Sequence, residues 1–367
     1  MKIMLLGDGN SPHIIKWTKG LTTKGIEVGL WSITKPDPGI YDDVKGLKLF
    51  YSNISQERLG LWAKIKYLTL LHHLRKSIKA FGPDIVHAHF ASSYGLLGAL
   101  VGFRPFIISV WGNDVYLFPT KNFLFKEILK FNLRKADKIL STSKVMARET
   151  AKYTKKHIQI TPFGIDLDVF KAYPPKHEKV FTIGTVKTLE EKYGIGYLID
   201  AFDIFRKKYP SETFRLLIVG GGSLEDDLKI KANKLGISHL CEFTGPVPYA
   251  SVPDYHNQLD VNLCLSIVDS ESFGVSAIEA SASEKPVIVS NVGGLPEVIV
   301  DEVTGIVVPP KNAEKAAAAI ERLYLDKDLR NRLGKAGRER VQRLYDWENN
   351  LRQMVEIYKE MLRNNER

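Results

Sequence analysis

At 367 residues the chain is longer than one ordinary domain, and two domains of roughly 150–200 residues are the natural expectation. Its content, 44% hydrophobic and 26% charged, is that of an ordinary globular protein, and no run approaches the roughly 20 uninterrupted apolar residues of a membrane span. The net charge of +10 is unevenly placed: residues 1–160 carry 25 Lys+Arg against 11 Asp+Glu (+14), and residues 161–367 carry 27 against 31 (−4). That asymmetry points to an anionic partner for the first half. A phosphorylated acceptor, an anionic membrane surface and nucleic acid are the candidates, and charge alone does not choose between them. The two cysteines, Cys241 and Cys264, show neither metal-ligand spacing nor a disulfide framework, which favours a reducing cytoplasmic setting.

The opening Met1-Lys2-Ile3-Met4-Leu5-Leu6-Gly7-Asp8-Gly9 has too short an apolar run for a signal peptide and reads as a buried strand, Lys2–Leu6, entering a glycine turn. Further strands are expected at Glu27–Ser32, Leu47–Tyr51, Ile85–His89, Phe106–Val110, Lys138–Thr142 and Ile158–Ile160. Helical patterns fall between them around Ile14–Thr23, Leu61–Phe81, Phe123–Lys135 and Lys144–Tyr153. Strands separated by helices of this length make βαβ units and a mainly parallel sheet. Tyr173-Pro174-Pro175-Lys176-His177-Glu178 reads as a linker. The alternation then restarts, with strands at Val180–Thr185, Arg215–Val219, Cys241–Thr244, Val261–Cys264, Val287–Ser290 and Gly305–Val308.

Architecture repeats here, though sequence does not. The expectation is an α/β protein of two Rossmann-like, doubly wound parallel-sheet domains, residues 1–170 and 171–345. A C-terminal helix within 346–367 is expected to pack back toward the N-terminal domain, with Trp347, Leu351, Met354, Val355, Tyr358 and Leu362 at helical spacing. Ligands of open α/β sheets bind beyond the carboxyl ends of the strands, so two such domains are expected to face an inter-domain cleft.

The strongest chemical signal runs from Ser266 to Ala280. Glu271 and Glu279 bracket Phe273-Gly274 where a loop enters a helix. Backbone N–H groups at such a helix start suit a phosphate or sugar oxygen. Two carboxylates beside an anion-binding terminus make electrostatic sense when they bind hydroxyls, as in a sugar and a ribose. Solvated glutamates on a surface helix are the plainer alternative. Strand Arg215–Val219 ends in Gly220-Gly221-Gly222-Ser223, where bare glycines allow close backbone approach by a ligand. Lys187 and Lys192 lie on the loop after Val180–Thr185, where paired ammonium groups can neutralise a diphosphate leaving group.

These segments together closely resemble glycosyltransferase family 4, a retaining family with the GT-B fold. The family's E-x-F-G-x-x-x-x-E element matches Glu271 through Glu279, and its A-x-A-x-x-x-P-V-I run matches Ala280 through Ile288. Gly293-Gly294-Leu295-Pro296-Glu297 and Thr304-Gly305 match the G-G-x-x-E and T-G elements that follow. Thr161-Pro162-Phe163-Gly164-Ile165-Asp166 also falls where the family has a counterpart. The resemblance implies that Glu279 binds the donor ribose and Glu271 a hydroxyl of the transferred sugar. It implies backbone contacts to sugar or diphosphate at Phe273, Gly274 and Val275, with Gly221 and Gly222 nearby. Lys192 is expected to hold the diphosphate beside Lys187, which stands where the family usually carries arginine and so keeps the charge without the planar fork. The base is expected near Gly245-Pro246-Val247.

In the first half, Gly7-Asp8-Gly9-Asn10-Ser11 is no dinucleotide fingerprint, because Pro12 takes the third glycine's place; Gly9 and Asn10 are expected to face the donor phosphates. His87 and His89 share one face of a strand, and contacts to acceptor or sugar at the strand end are expected rather than a metal pair. Ser109-Val110-Trp111-Gly112-Asn113-Asp114 carries Trp111 where many relatives have histidine. No histidine role is carried over, and Asp114 is a catalytic candidate or else a helix cap. The D-x-D at Asp166–Asp168 belongs to the Gly164-Ile165-Asp166 element, and neither a metal nor a bound cofactor is expected.

The resemblance implies a retaining hexosyltransferase using a nucleotide-sugar donor and a glycan or lipid-linked acceptor. Basic and aromatic residues over Leu61–Lys76, with Lys121, Lys126, Lys130, Arg134 and Lys135, suggest a peripheral anionic membrane contact at the inner face. A nucleotide-sugar epimerase of the same architecture is the rival enzyme. A nucleic-acid-binding protein would explain the basic half, but no recognition motif is present and nucleic acid is not an expected partner.

Overall fold

The computed structural model describes residues 1–52, 63–173 and 180–365, the side chains of 63–67 and 364–365 excepted. Of the expected helix at 61–81, residues 61–62 and the side chains of 63–67 therefore lie outside the described residues, as does all of the linker expected at 173–178 except Tyr173. The chain divides into two compact units, Met1–Pro162 with Asn349–Arg367, and Phe163–Glu348.

Unit 1 runs β1 (Lys2–Leu6), α1 (Pro12–Thr23), β2 (Glu27–Ser32), β3 (Leu47–Tyr51), α2 (Ala63–Phe81), β4 (Ile85–His89), α3 (Ser93–Val101), β5 (Phe106–Val110), α4 (Asn113–Tyr116), α5 (Phe123–Lys135), β6 (Lys138–Ser141), α6 (Lys144–Ala151) and β7 (Ile158–Ile160). Its strands form one parallel sheet in the order β3-β2-β1-β4-β5-β6-β7. Central strands of such a sheet are covered on both faces and read as continuous apolar runs. Ile3, Met4, Leu5 and Leu6 of β1 are accordingly fully buried. Local chemistry starts the helices: Pro12 occupies the first turn of α1, and Asn122 and Ser143 cap α5 and α6 by accepting from Phe125 N and Met146 N.

Unit 2 runs β8 (Phe181–Val186), α7 (Ile195–Arg206), β9 (Phe214–Val219), α8 (Glu225–Lys234), β10 (Cys241–Phe243), α9 (Val252–Gln258), β11 (Val261–Cys264), α10 (Val275–Ala282), β12 (Val287–Ser290), α11 (Leu295–Val298), β13 (Gly305–Val308), α12 (Ala313–Leu325) and α13 (Lys327–Leu344). Its parallel sheet has the order β10-β9-β8-β11-β12-β13. The winding of unit 1 is thus repeated: each unit starts at a central strand, runs to one edge, and returns to the strand's other side. The switch points lie between β1 and β4 and between β8 and β11, where doubly wound sheets hold ligands.

The break between units falls at Pro162, earlier than the boundary expected at 170. Residues from Phe163 on are tied into unit 2: Ile165 N donates to Tyr345 O at 2.7 Å, and the Arg338 guanidinium donates to the carbonyls of Leu167 and Phe170. The last helix, α14 (Trp347–Asn365), belongs to unit 1 from Asn349 on. Leu351, Met354, Ile357 and Tyr358 are buried along it, and Gln353 Nε2 donates to Ile160 O at 3.1 Å.

Candidate functional site

In unit 2 the chain leaves β8 at Lys187 and leaves β11 toward Glu271, so the switch point brings together residues 84 positions apart. Lys187 Nζ donates to Glu271 Oε2 at 2.8 Å, both side chains being largely buried. Ser266 Oγ donates to the same oxygen at 3.2 Å. Burial opposes both charges, but the partners outweigh it. Glu271 is held below the usual carboxylate range by Lys187, and Lys187 is raised above the usual lysine range by Glu271. Two ammonium groups lie over the Tyr193 ring, Lys187 Nζ 4.3 Å and Lys192 Nζ 4.8 Å from its centroid. An aromatic face can hold both cations close together. Ile267 N donates to Lys192 O at 2.9 Å, which fastens the lysine loop to the glutamate loop.

The helix start lies where the residues indicated. Gly274 is the N-cap of α10 with φ 89°, a left-handed conformation in which a Cβ would also meet Leu295. The Gly293-Gly294 pair braces the loop before it: a Cβ on Gly293 would lie 2.1 Å from Glu271 O, and Gly294 N donates to that same oxygen at 2.8 Å. The Phe273 side chain is a core anchor, edge-on to Phe163 at 5.5 Å and to Tyr345 at 5.6 Å. Only its backbone, with that of Gly274 and Val275, is available for the expected contacts.

A pocket of about 340 Å³ opens at this carboxyl edge. Lys187, Gly221, Val247 and Glu279 line it, as does Tyr249. Glu279 is buried on α10; its Oε1 accepts from Tyr249 Oη at 3.0 Å, and its Oε2 stands 3.6 Å from His256 Nε2. No Lys or Arg pairs with it among the described residues. Burial and the Glu279 charge raise the Tyr249 phenol far above its ordinary value, so it serves as a neutral donor. Burial pushes the neighbouring Cys264 thiol up to about 11, leaving it an inert filler.

The glycine turn after β9 packs closely against the lysine loop. A Cβ on Gly220 would lie 2.2 Å from Lys187 O, and one on Gly222 would lie 2.4 Å from Leu189 O. These glycines admit the protein's own lysine loop, while Gly220 and Gly221, the latter against Pro246, also border the pocket.

Unit 1 carries the remaining candidates. Asp114 is fully buried: Oδ2 accepts from Ala91 N at 2.6 Å and Oδ1 from Gly112 N at 2.8 Å and Trp111 N at 3.1 Å. Burial raises its carboxyl above the ordinary value even against these amides. The carboxylate ties the β4 and β5 loops together. His87 is a structural tie as well, its Nδ1 2.7 Å from Tyr358 Oη on α14 and its Nε2 2.8 Å from Ser109 Oγ. His89 is buried between His87 and Trp111, at ring distances of 4.1 and 4.9 Å, and both its nitrogens lack a hydrogen-bond partner among the described residues. Gly9 N donates to Ser32 Oγ and Gly9 O accepts from Tyr41 Oη, while Asn10 Oδ1 accepts from Asp37 N at 2.7 Å. Both residues therefore hold loops of unit 1 together. Among the described residues, no three His, Cys, Asp or Glu side chains form a metal-ligand set.

Tyr249 and His256 escaped the sequence reading. Tyr249 lies 30 positions from Glu279 in a turn with no periodicity, so no spacing signal ties the two. Tyr193 was not singled out either, although an aromatic residue beside Lys192 is a visible signal.

The family profile described as Glycosyl transferases group 1 matches residues 168–340, and that of Glycosyl transferase 4-like matches residues 2–143. An uncharacterized glycosyltransferase of Methanocaldococcus jannaschii is 26% identical over 304 residues, 81% of each chain. Among solved structures, sucrose-phosphate synthase from Thermosynechococcus elongatus superposes with a TM-score of 0.83 at 21% identity, covering 99% of this chain and 100% of that one. The Anabaena protein HepE, solved in complex with UDP, does so with a TM-score of 0.81 at 17% identity, covering 98% and 100%. At these identities the structural likenesses speak to the fold. Two profiles that between them match most of the chain, with a winding common to both units, lead to one conclusion: the chain belongs to the group 1, family-4-like glycosyltransferases of the GT-B fold, and is a transferase enzyme.

Proposed function

We propose that the chain transfers a hexosyl group from a nucleotide diphosphate sugar to a glycan or lipid-linked acceptor, with retention of anomeric configuration. The observation that carries this reading is Glu279, a buried carboxylate lining a pocket with one hydrogen bond made and no cationic partner among the described residues. A carboxylate accepts about four hydrogen bonds, and a buried one left short of donors is unfavourable. The vicinal hydroxyls of a ribose supply the missing donors. The UDP complex of the structurally similar Anabaena protein is in keeping with such a donor.

In this reading the base lies against Val247 and Gly221, and the ribose lies on Glu279. Lys187 and Lys192 stabilise the diphosphate as the bond from its oxygen to C1 of the sugar breaks. Glu271 holds a sugar hydroxyl. The acceptor oxygen attacks C1 from the face the diphosphate leaves, and the departing phosphate oxygen takes the acceptor's proton. The protein's main contributions are orientation and charge stabilisation. No metal or further cofactor is invoked.

A lipid-linked acceptor is supported by α5, where Phe123 and Leu124 are exposed at 78% and 64% beside Lys121 and Lys126. Apolar side chains among lysines suit a peripheral anionic membrane contact. No helix among the described residues is long and apolar enough to cross a membrane.

Thermal unfolding with UDP, GDP, ADP, NAD and their sugar conjugates tests the donor. A ligand at about 100 times its dissociation constant adds about 2.7 kcal/mol. Stabilisation by one nucleotide family, lost in Glu279→Ala, is expected, and a folded protein indifferent to all of them would sink the reading. Proton NMR of the product reports the anomeric outcome. Release of an altered nucleotide sugar without acceptor would favour an epimerase.

A further inference from the structure

We infer that Tyr249 positions the Glu279 carboxylate for the donor's ribose, and so sets the preference for a ribonucleotide over a deoxyribonucleotide. This rests on the reading of Glu279 given above. Tyr249 opens the short turn Tyr249–Ser251 that leads into α9. Its ring packs on Phe170, with centroids 5.8 Å apart, and its hydroxyl reaches Glu279 Oε1 at 3.0 Å. Phe170 also packs on His256, at 6.2 Å, whose Nε2 is buried without a hydrogen-bond partner among the described residues, 3.6 Å from Glu279 Oε2. That separation is beyond a hydrogen bond. One short bond on Oε1 is therefore what stops the carboxylate from turning about its terminal torsion, which is otherwise broad. With Oε1 held, the remaining lone pairs keep a fixed orientation at the pocket wall that Tyr249 and Glu279 share. Two vicinal hydroxyls must meet that orientation together, whereas a 2′-deoxyribose offers only one of them. Tyr249 touches the carboxylate rather than the reacting atoms, and is a positioning residue.

The experiment measures binding of UDP and GDP, and of their 2′-deoxy forms, to the wild type, Tyr249→Phe and Glu279→Ala. The wild type should prefer the ribonucleotide about tenfold or more, the scale of a hydrogen bond to a charged group. Tyr249→Phe should weaken ribonucleotide binding about five- to tenfold and leave the deoxy form nearly unchanged, so that the preference shrinks. Equal losses on both sugars would mark Tyr249 as merely structural and overturn the proposal. Unchanged or tighter ribonucleotide binding would make the phenol a competitor of ribose, which overturns it too. If Glu279→Ala abolishes the preference while Tyr249→Phe retains it in full, the proposal alone fails. If Glu279→Ala leaves binding of both nucleotides unchanged, the reading of Glu279 fails and takes the proposal with it.

Discussion

Asp114 of unit 1 and Glu279 of unit 2 are both buried carboxylates in doubly wound parallel sheets, but their surroundings are opposite. Asp114 is fully buried and accepts from three backbone amides. Glu279 accepts from one phenol, faces an imidazole at 3.6 Å, and lines a pocket. The histidines of β4 follow the first pattern in part, since His87 is consumed by Ser109 and Tyr358. A carboxylate whose hydrogen bonds are closed within the fold supports structure, whereas one left short of donors is where a ligand gains most.

The sharpest way to break that contrast is to remove each carboxylate. Asp114→Ala should destabilise the protein by about 3 kcal/mol or more, because three amides lose their acceptor in the interior. Glu279→Gln should change stability by less than about 1 kcal/mol, since it removes an under-satisfied buried charge, while nucleotide binding falls. Urea unfolding of both variants decides the matter. Equal losses of stability would end the distinction.

Acid sharpens the comparison next. Burial lowers the His87 imidazole well below its ordinary value and that of His89 to about 3, so both are neutral in the fold. In the unfolded chain they take up protons below about pH 6.5, so stability falls as the pH drops from there toward their folded values. The slope approaches about 1.4 kcal/mol per histidine for each pH unit. Glu271 behaves differently: Lys187 depresses its folded value, so its contribution is complete above the unfolded carboxylate value of about 4.3 and is lost only as pH falls through the lower folded one. Hydrogen exchange at pH 7 and 5, corrected for intrinsic rates, should show protection declining around β4 and α14 while the Lys187–Glu271 loops hold. Uniform loss across both units would argue against the histidine origin. The smallest expected effect is that of Tyr358→Phe, about 1 kcal/mol from one buried hydrogen bond, with the loss confined to α14 and β4.

Much of the molecule was legible in the chain, for identifiable reasons. Fully buried parallel strands announce themselves as apolar runs, so Lys2–Leu6, Ile85–His89 and Val261–Cys264 lie where the residues indicated. The glutamate pair was legible because Gly274 marks the start of α10, and Glu271 and Glu279 flank that start within one short segment. Lys187 was legible as a candidate because it follows a strand directly. That it pairs with Glu271 was not, because the contact depends on β8 lying next to β11.

Side-chain roles diverged where a residue's partners come from other elements. Asp114 read as a catalytic candidate, or else a helix cap, from its place in the family's element; the Ala91 amide that claims it comes from the neighbouring strand's loop. Gly220 and Gly222 read as room for a ligand, and the packing also brings the carbonyls of Lys187 and Leu189 against them. His87 read as a strand-end contact, and α14 covers it from 271 positions away. Sequence by itself determined the repeated βαβ winding, the family and the helix start between the two glutamates, because strand burial, glycine conformation and local spacing are short-range properties. The tertiary structure alone decided which polar groups are satisfied within the fold and which remain for a ligand, because a hydrogen-bond partner is set by which strands lie side by side.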